Sequence, residues 1–361
     1  LISLLKNEKS LFISLLVLVA LFPLEHMIMS STLFNTMALT LIVGVIMYSA
    51  LNVAHHAEML AEKYGEPYGT MILTLSAVLV EVLMIGIMMS HSENINLARD
   101  TIVSAVILDI NGLFGLAAII GGIKHGEQDF NFDSTNSYVS MLIVAIGIAM
   151  VAPIFITFNP LIMAVLFIFM FVVFTRIQTK EHSYFFTYDY KKKNKVNAVG
   201  ENEHHNENIN GLYHISVLGG SIVVIGFLSE LLSVFMDVGL KSSGLPIVLG
   251  AFAVAVISAA PELFTAIKSA TENRMQTVIN IALGASLATV LLTIPAMIIL
   301  STVLGHEINF ALSNIQMVLL GMTLLASMIH FSDGQSNVLE GSIHFTIFLA
   351  FLYVMMTGQL G

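Results

Sequence analysis

The sequence predicts an all-α polytopic membrane protein of about eleven transmembrane helices, one leading helix followed by two inverted five-helix repeats. Three observations predict it. Of 361 residues, 57% are hydrophobic and only 11% charged, against roughly 25% charged in soluble domains. The apolar residues gather into stretches of about 20, the length that crosses a bilayer core as a helix. Lysine and arginine are distributed unevenly among the connections between those stretches.

Taken in order, the first stretch, 11–24, is short. Lys6 and Lys9 precede LFISLLVLVALF in the manner of a signal peptide, but no small-residue cleavage pattern follows, so it reads as a span. Spans at 33–53, 68–90 and 101–123 are set apart by short polar connections. Those at 138–158 and 160–177 are divided only by Asn159 and Pro160, the weakest of the breaks. A polar stretch then carries KKKNK and the acidic ENEHHNEN; it reads as a solvated linker, with a regulatory role for Glu201, Glu203, His204, His205 and Glu207 as the minor alternative. Five more spans follow at 212–238, 245–268, 277–303, 310–330 and 341–360. The chain therefore divides into a leading segment 1–32, a first repeat 33–177, a linker 178–211 and a second repeat 212–361.

With the amino terminus in the cytoplasm, twelve basic residues lie on the cytoplasmic side, from Lys6 and Lys9 through Lys63, Lys124 and the linker to Lys268 and Arg274. Only Arg99 and Lys241 lie outside. Basic residues favour the cytoplasmic side, so this orientation is expected, with the carboxyl terminus outside. It also requires an odd number of spans, because one helix more or fewer would invert every later connection. Five helices on each side of the linker place the two halves in opposite directions, the geometry that sets transport sites near the bilayer midplane.

Two glutamates stand inside these apolar stretches, Glu81 in YGTMILTLSAVLVEVLMIGIMM and Glu262 in LPIVLGAFAVAVISAAPELFTAIKSA. An ionisable group at that depth is disfavoured by about 3 kcal/mol even on the mildest insertion scale and marks an ion or proton pathway more often than packing. Each lies in the second helix of its half. Thr70, Thr74 and Glu81 share a helix face, as do Ser258, Glu262, Thr265 and Ser269. Pro261 removes a backbone donor and frees a carbonyl one turn earlier. In the following helices, Ser104, Asn111 and Gly115 share a face, and so do Asn280 and Gly284. Ser258, Asn111 and Asn280 are thus the expected accessory cation ligands. Glu230, with Gly226, Ser233 and Asp237 at helical spacing, is an accessory proton candidate of equal standing with a structural role. Asp109 falls off the Ser104 and Asn111 face and is left unassigned.

Carboxylates, amide oxygens, hydroxyls and a freed carbonyl are hard-cation ligands and suit calcium, which takes about six to eight oxygens; they suit sodium as well. When the cation leaves, two neighbouring carboxylates in low dielectric do not both stay ionised, and protons take its place. That competition is sufficient for antiport. A channel is the remaining transport alternative.

Other chemistries are poorly represented. The chain has no cysteine, which excludes disulfides, thiolate metal sites and cysteine nucleophiles. Nucleotide motifs and serine elbows are absent, so an ATP-driven pump and an enzyme are not expected, nor is a bound cofactor. The net charge of −10 is scattered, and nucleic acid is not an expected partner. The expected partners are inorganic cations, protons and the lipid bilayer; nothing bears on oligomeric state. HHAEML, from His55, reads as a solvated connection, and His306, His330 and His344 as interfacial residues near span ends.

The segments GEPYGTMILTLSAVLVEVLMI and SAAPELFTAIKSATENRMQTVINIALGASLATVLLTIPAM resemble the paired repeat motifs of the calcium/proton exchanger family, nearest its bacterial ChaA-type calcium or sodium/proton antiporters. The resemblance implies two inverted five-helix halves in a bacterial inner membrane protein. It further implies a cation site on Glu81 and Glu262, the metal-holding residues, with proton exchange at the same acids, and it maps the family's polar residues of the following helix onto Asn111 and Ser286, which adds Ser286 to the accessory ligands. Calcium export against protons is the implied activity, with Na⁺ or K⁺ as alternative cargo. One departure is visible: where many calcium exchangers carry Gly-Asn shortly before each glutamate, this chain has Ser76-Ala77-Val78-Leu79-Val80 and Ser258-Ala259-Ala260-Pro261.

Overall fold

A computed structural model describes residues 8–65, 68–91, 94–157, 159–181, 183–188 and 209–360. The described residues form eleven helices: α1 Lys9–Met29, α2 Thr32–Tyr64, α3 Tyr68–His91, α4 Leu97–His125, α5 Phe132–Ile154, α6 Pro160–Lys180, α7 Gly211–Ser243, α8 Val248–Thr271, α9 Met275–Leu304, α10 Asn314–His330 and α11 Val338–Met356. All but α10 are long and apolar enough to cross a membrane. Two short strands, β1 Gln128–Asp129 and β2 Gln335–Ser336, pair antiparallel and tie the α4–α5 connection to the α10–α11 connection.

The helix boundaries have local causes. Asn131, Asn159, Asn210 and Asn337 each cap a helix by accepting a backbone N–H with the side chain. Pro160 occupies the first turn of α6, where its missing N–H leaves nothing unpaired, so the Asn159 break is a true helix start. Ser313 and Gln316 form a reciprocal capping box on α10. Several expected boundaries move: α5 starts at Phe132 rather than 138 and α7 runs to Ser243 rather than 238. The first span extends through Pro23 to Met29, and α2 continues eleven residues beyond 53, to Tyr64, so His55 and His56 belong to a helix rather than to a connection. Most of the expected linker, including Glu201, Glu203, His204, His205 and Glu207, lies outside the described residues.

Hydrogen bonds identify the two ends of the bundle. At one, the linker end, Lys63 Nζ donates to Ile209 O, Lys124 Nζ to Thr271 O, and the Asn131 N–H to Gln276 Oε1. At the other, Asn309 N–H donates to Ile95 O and Arg99 Nη1 to Ala311 O. Helix α3 therefore runs away from the linker end and α8 runs towards it. Likewise α4 runs towards the linker end and α9 away from it. Both α3 and α8 have 24 residues.

Close helix approach depends on glycine where α4 crosses α11. A Cβ on Gly115 would meet Phe345 N at 2.8 Å, and one on Gly341 would meet Gly115 O at 2.8 Å, so neither position tolerates a side chain without backbone movement. The end opposite the linker is closed by a buried polar cluster. Arg99 Nη2 lies 2.8 Å from Asp100, whose Oδ1 also accepts from Gln316 Nε2 at 2.7 Å. Both charges are buried and paired with each other, the condition under which a buried ion pair is tolerated.

Candidate cation site

Helix α3 carries Glu81 near its middle, and α8 carries Glu262 at almost the same position in its own 24 residues. Each packs beside a π-helical turn from the opposite half, Thr289–Thr293 in α9 and Leu108–Leu113 in α4. The turn begins 27 residues after the glutamate in both halves, from 81 to 108 and from 262 to 289. A π turn inserts extra backbone into a helix and changes which side chains face a neighbour, a device found often at functional sites.

A cavity of about 440 Å³ reaches from these turns towards the linker end. Glu81, Asp109, Glu262 and Thr289 line its inner part; Glu58, Gln178, Thr265 and Thr277 line the part nearer the linker end. Glu81 and Asp109 are only 4% and 2% exposed, while Glu262 is half-buried against the cavity. Thr289 and Thr293 both donate hydroxyl hydrogen bonds of 2.9 Å to Glu81 Oε2, and Ser286 donates to Asp109 Oδ2 at 3.3 Å. The second oxygens, Glu81 Oε1 and Asp109 Oδ1, are buried and accept nothing. An unpartnered carboxylate oxygen is costly to bury, so two of them beside one cavity, with Glu262, form a donor set suited to a hard cation or to protons.

The structure distributes the expected accessory residues unevenly. Ser258 is on the cavity wall, donating its hydroxyl to Ala255 O at 3.0 Å and keeping its lone pairs free. Thr74 and Thr265 are also on the wall, and α8 continues unbroken through Pro261. Asn280 reaches the wall, but its amide donates to Phe186 O at 2.8 Å and accepts from Gln276 at 2.9 Å, which ties the 183–188 segment down. Ser286 acts behind the wall, on Asp109.

Three expectations need correction. Asn111 is not on the cavity wall: its Nδ2 donates to Thr323 at 2.7 Å and its Oδ1 lies 2.9 Å from His344 Nδ1, joining α4 to α10 and α11. The cavity face of α4 is instead Ala105 and Asp109, four residues apart, which brings in the acid that spacing had left aside. Because α4 is apolar and buried on all sides, nothing in its periodicity separates the two faces. Glu230 does not line the cavity; it is half-buried, 3.9 Å from His91 at the end of α3 that is far from the linker.

The histidines also differ from expectation. His344 is fully buried beside Asn111, not interfacial. His56, 2% exposed, lies 3.0 Å from Glu8 and 2.8 Å from His214, tying α2 to α7. Burial works against the charged Glu8 carboxylate, but hydrogen bonds from Tyr213 and His56 outweigh it and hold the group below the usual range.

The same family profile, that of the sodium/calcium exchanger protein, matches this chain twice, over residues 34–180 and 213–357. The chain is 31% identical over 356 residues to a protein of Escherichia coli (strain K12) named sodium-potassium/proton antiporter ChaA, covering 96% of this chain and 95% of that one. It is 25% identical over 288 residues to a Ca²⁺/H⁺ antiporter of Aphanothece halophytica, covering 74% and 77%. Its fold is similar to a crystal structure of the Ca²⁺/H⁺ antiporter protein YfkE, with a TM-score of 0.71 at 19% identity over 96% of this chain and 99% of that one. The chain belongs to the sodium/calcium exchanger protein family.

Proposed function

We propose that this cation transporter is a secondary antiporter that exports Ca²⁺ from the cytoplasm in exchange for protons, with Glu81, Asp109 and Glu262 holding the two in turn. The convergence of three carboxylates on one cavity, two of them with an unpartnered buried oxygen, carries this conclusion. The high negative charge favours a divalent ion, since affinity in oxygen sites rises with ligand charge. Once the cation leaves, mutual repulsion in a low-dielectric cavity is relieved by protons. Two protons per Ca²⁺ balance charge at the glutamate pair, and Asp109 supplies a third acidic position in the place first considered for Glu230.

In this proposal the halves 33–177 and 212–361 are inverted repeats, joined by the linker 178–211 and preceded by the leading segment 1–32. Matching π turns and the opposite directions of α3 and α8 support that division. In this reading the protein lies in the bacterial inner membrane, and the bias of basic residues supports placing the linker end in the cytoplasm. The cavity then faces inward, while the Arg99, Asp100 and Gln316 cluster closes the outer end. Alternating access opens that cluster and closes the region around Glu58 and Thr265.

A second cargo, Na⁺ or K⁺, is favoured by a specific observation: Glu81, Asp109 and Asn280 each have oxygens already occupied by hydrogen bonds, which shrinks the shell available to calcium. Purified protein in proteoliposomes with a trapped pH dye separates these cases. Ca²⁺ gradients are expected to drive proton movement at lower concentrations than Na⁺ or K⁺ gradients. Cation flux with no accompanying pH change would point to a channel and overturn antiport.

A further inference from the structure

Buried helical hydroxyls in this protein ordinarily bond to their own helix. Thr101 donates to Leu97 O, Ser104 to Asp100 O, Ser229 to Ile225 O, Thr323 to Leu319 O and Ser327 to Thr323 O, each four residues back. Thr289 and Thr293 break the habit. They stand four residues apart in the π turn of α9, and both hydroxyls reach across to one atom, Glu81 Oε2, at 2.9 Å. A hydroxyl has one proton to donate, and a carboxylate oxygen has about two acceptor positions. Both positions on Oε2 are therefore filled, and only Oε1, buried and unpartnered, is left for the cavity.

Nothing equivalent exists in the other half. Leu108 and Gly112 stand 27 and 31 residues after Glu81, the same offsets at which Thr289 and Thr293 follow Glu262. Neither has a hydroxyl, and among the described residues no hydrogen bond reaches the Glu262 carboxylate, which keeps both oxygens for the cavity.

We propose that Thr289 and Thr293 are specificity-determining positioning residues: they clamp Glu81 as a one-oxygen ligand and so set the balance between divalent and monovalent cargo. This rests on the antiport reading only for its consequence in transport; the clamp itself concerns cation binding. Calcium gathers six to eight oxygens and accepts bidentate carboxylates. An ion satisfied by a smaller shell loses less when one oxygen is withheld. Removing the clamp frees Glu81 to turn and present both oxygens, which favours the ion that needs more of them.

The test is competition binding to purified protein with radiolabelled Ca²⁺ and Na⁺, comparing wild type with Thr289→Val and Thr293→Val, singly and together. Valine keeps the volume and removes the hydroxyl. The double variant is expected to raise the preference for Ca²⁺ over Na⁺ by about tenfold, the scale of one hydrogen bond to a charged group. Each single variant is expected to give roughly threefold, and is decisive if the double variant does not insert. Thr289→Ser with Thr293→Ser restores both donors and should hold the wild-type ratio. A ratio unchanged in the valine variants, or affinity for both ions falling equally, overturns the clamp. Because no proton is followed, failure of the clamp is distinct from failure of antiport, which appears as wild-type binding and flux without pH change.

Discussion

The two halves of the molecule offer the same acid at the same place but do not treat it alike. Glu81, nearly fully buried on α3, is gripped by two threonines from the opposite half, whereas Glu262 on α8 is half-buried and, among the described residues, accepts no hydrogen bond. The difference shows how a duplicated framework divides labour. Both halves keep the geometry, a glutamate and a π turn 27 residues later, but one turn supplies two hydroxyl donors and the other an acid, Asp109. The candidate site therefore brings one restrained carboxylate, one open carboxylate and Asp109 to the same cavity.

Substitution is the most forceful way to break this comparison. Glu81→Gln and Glu262→Gln are each expected to lower exchange in everted vesicles by at least ~100-fold while the protein still inserts, because each removes a charge that no neighbour replaces. Near-normal exchange in either would remove that residue from the site. Asp109→Asn is expected to have an intermediate effect, about tenfold on the cation concentration needed for half-maximal exchange, since the amide keeps an oxygen but loses the charge. An unchanged concentration dependence would assign Asp109 to packing alone.

Smaller effects sharpen the division between wall and support. Ser258→Ala removes one neutral oxygen from the wall and is expected to raise half-saturation by about threefold, measured in the same vesicles. Asn111→Ala should leave half-saturation within about twofold of wild type. It should nonetheless destabilise the protein by about 1–3 kcal/mol, because Thr323 and His344 lose a buried partner. A denaturant or thermal series in detergent reads that loss, and a large change in cation affinity would return Asn111 to the site. Glu230→Gln, half-buried beside His91 and off the cavity wall, is expected to change neither quantity.

Much of the architecture was legible in the sequence because bilayer length and backbone satisfaction allow few alternatives. The Asn159–Pro160 break is a cap followed by a residue without an N–H, and the structure starts a helix there for that reason. The extent of α2 was not legible, because His55 and His56 look like loop residues until Glu8 and His214 are seen to partner His56. Asp109 was missed for a different reason. In a helix buried on every side polar residues do not mark one functional face, so the spacing of Ser104, Asn111 and Gly115 pointed to Asn111, whose amide is spent joining helices. Asn280 shows the same bias: an amide in an apolar stretch reads as a ligand, but its hydrogen bonds hold the segment that ends at the linker.

Proton release on cation binding tests the central claim most directly. Ca²⁺ is titrated into purified, lightly buffered protein while a pH dye is followed, with Glu81→Gln/Glu262→Gln as the control. Wild type is expected to release about two protons for each Ca²⁺ bound, the number that conserves charge at a pair of carboxylates, and the double variant none. Saturable Ca²⁺ binding to wild type with no proton released would contradict the account.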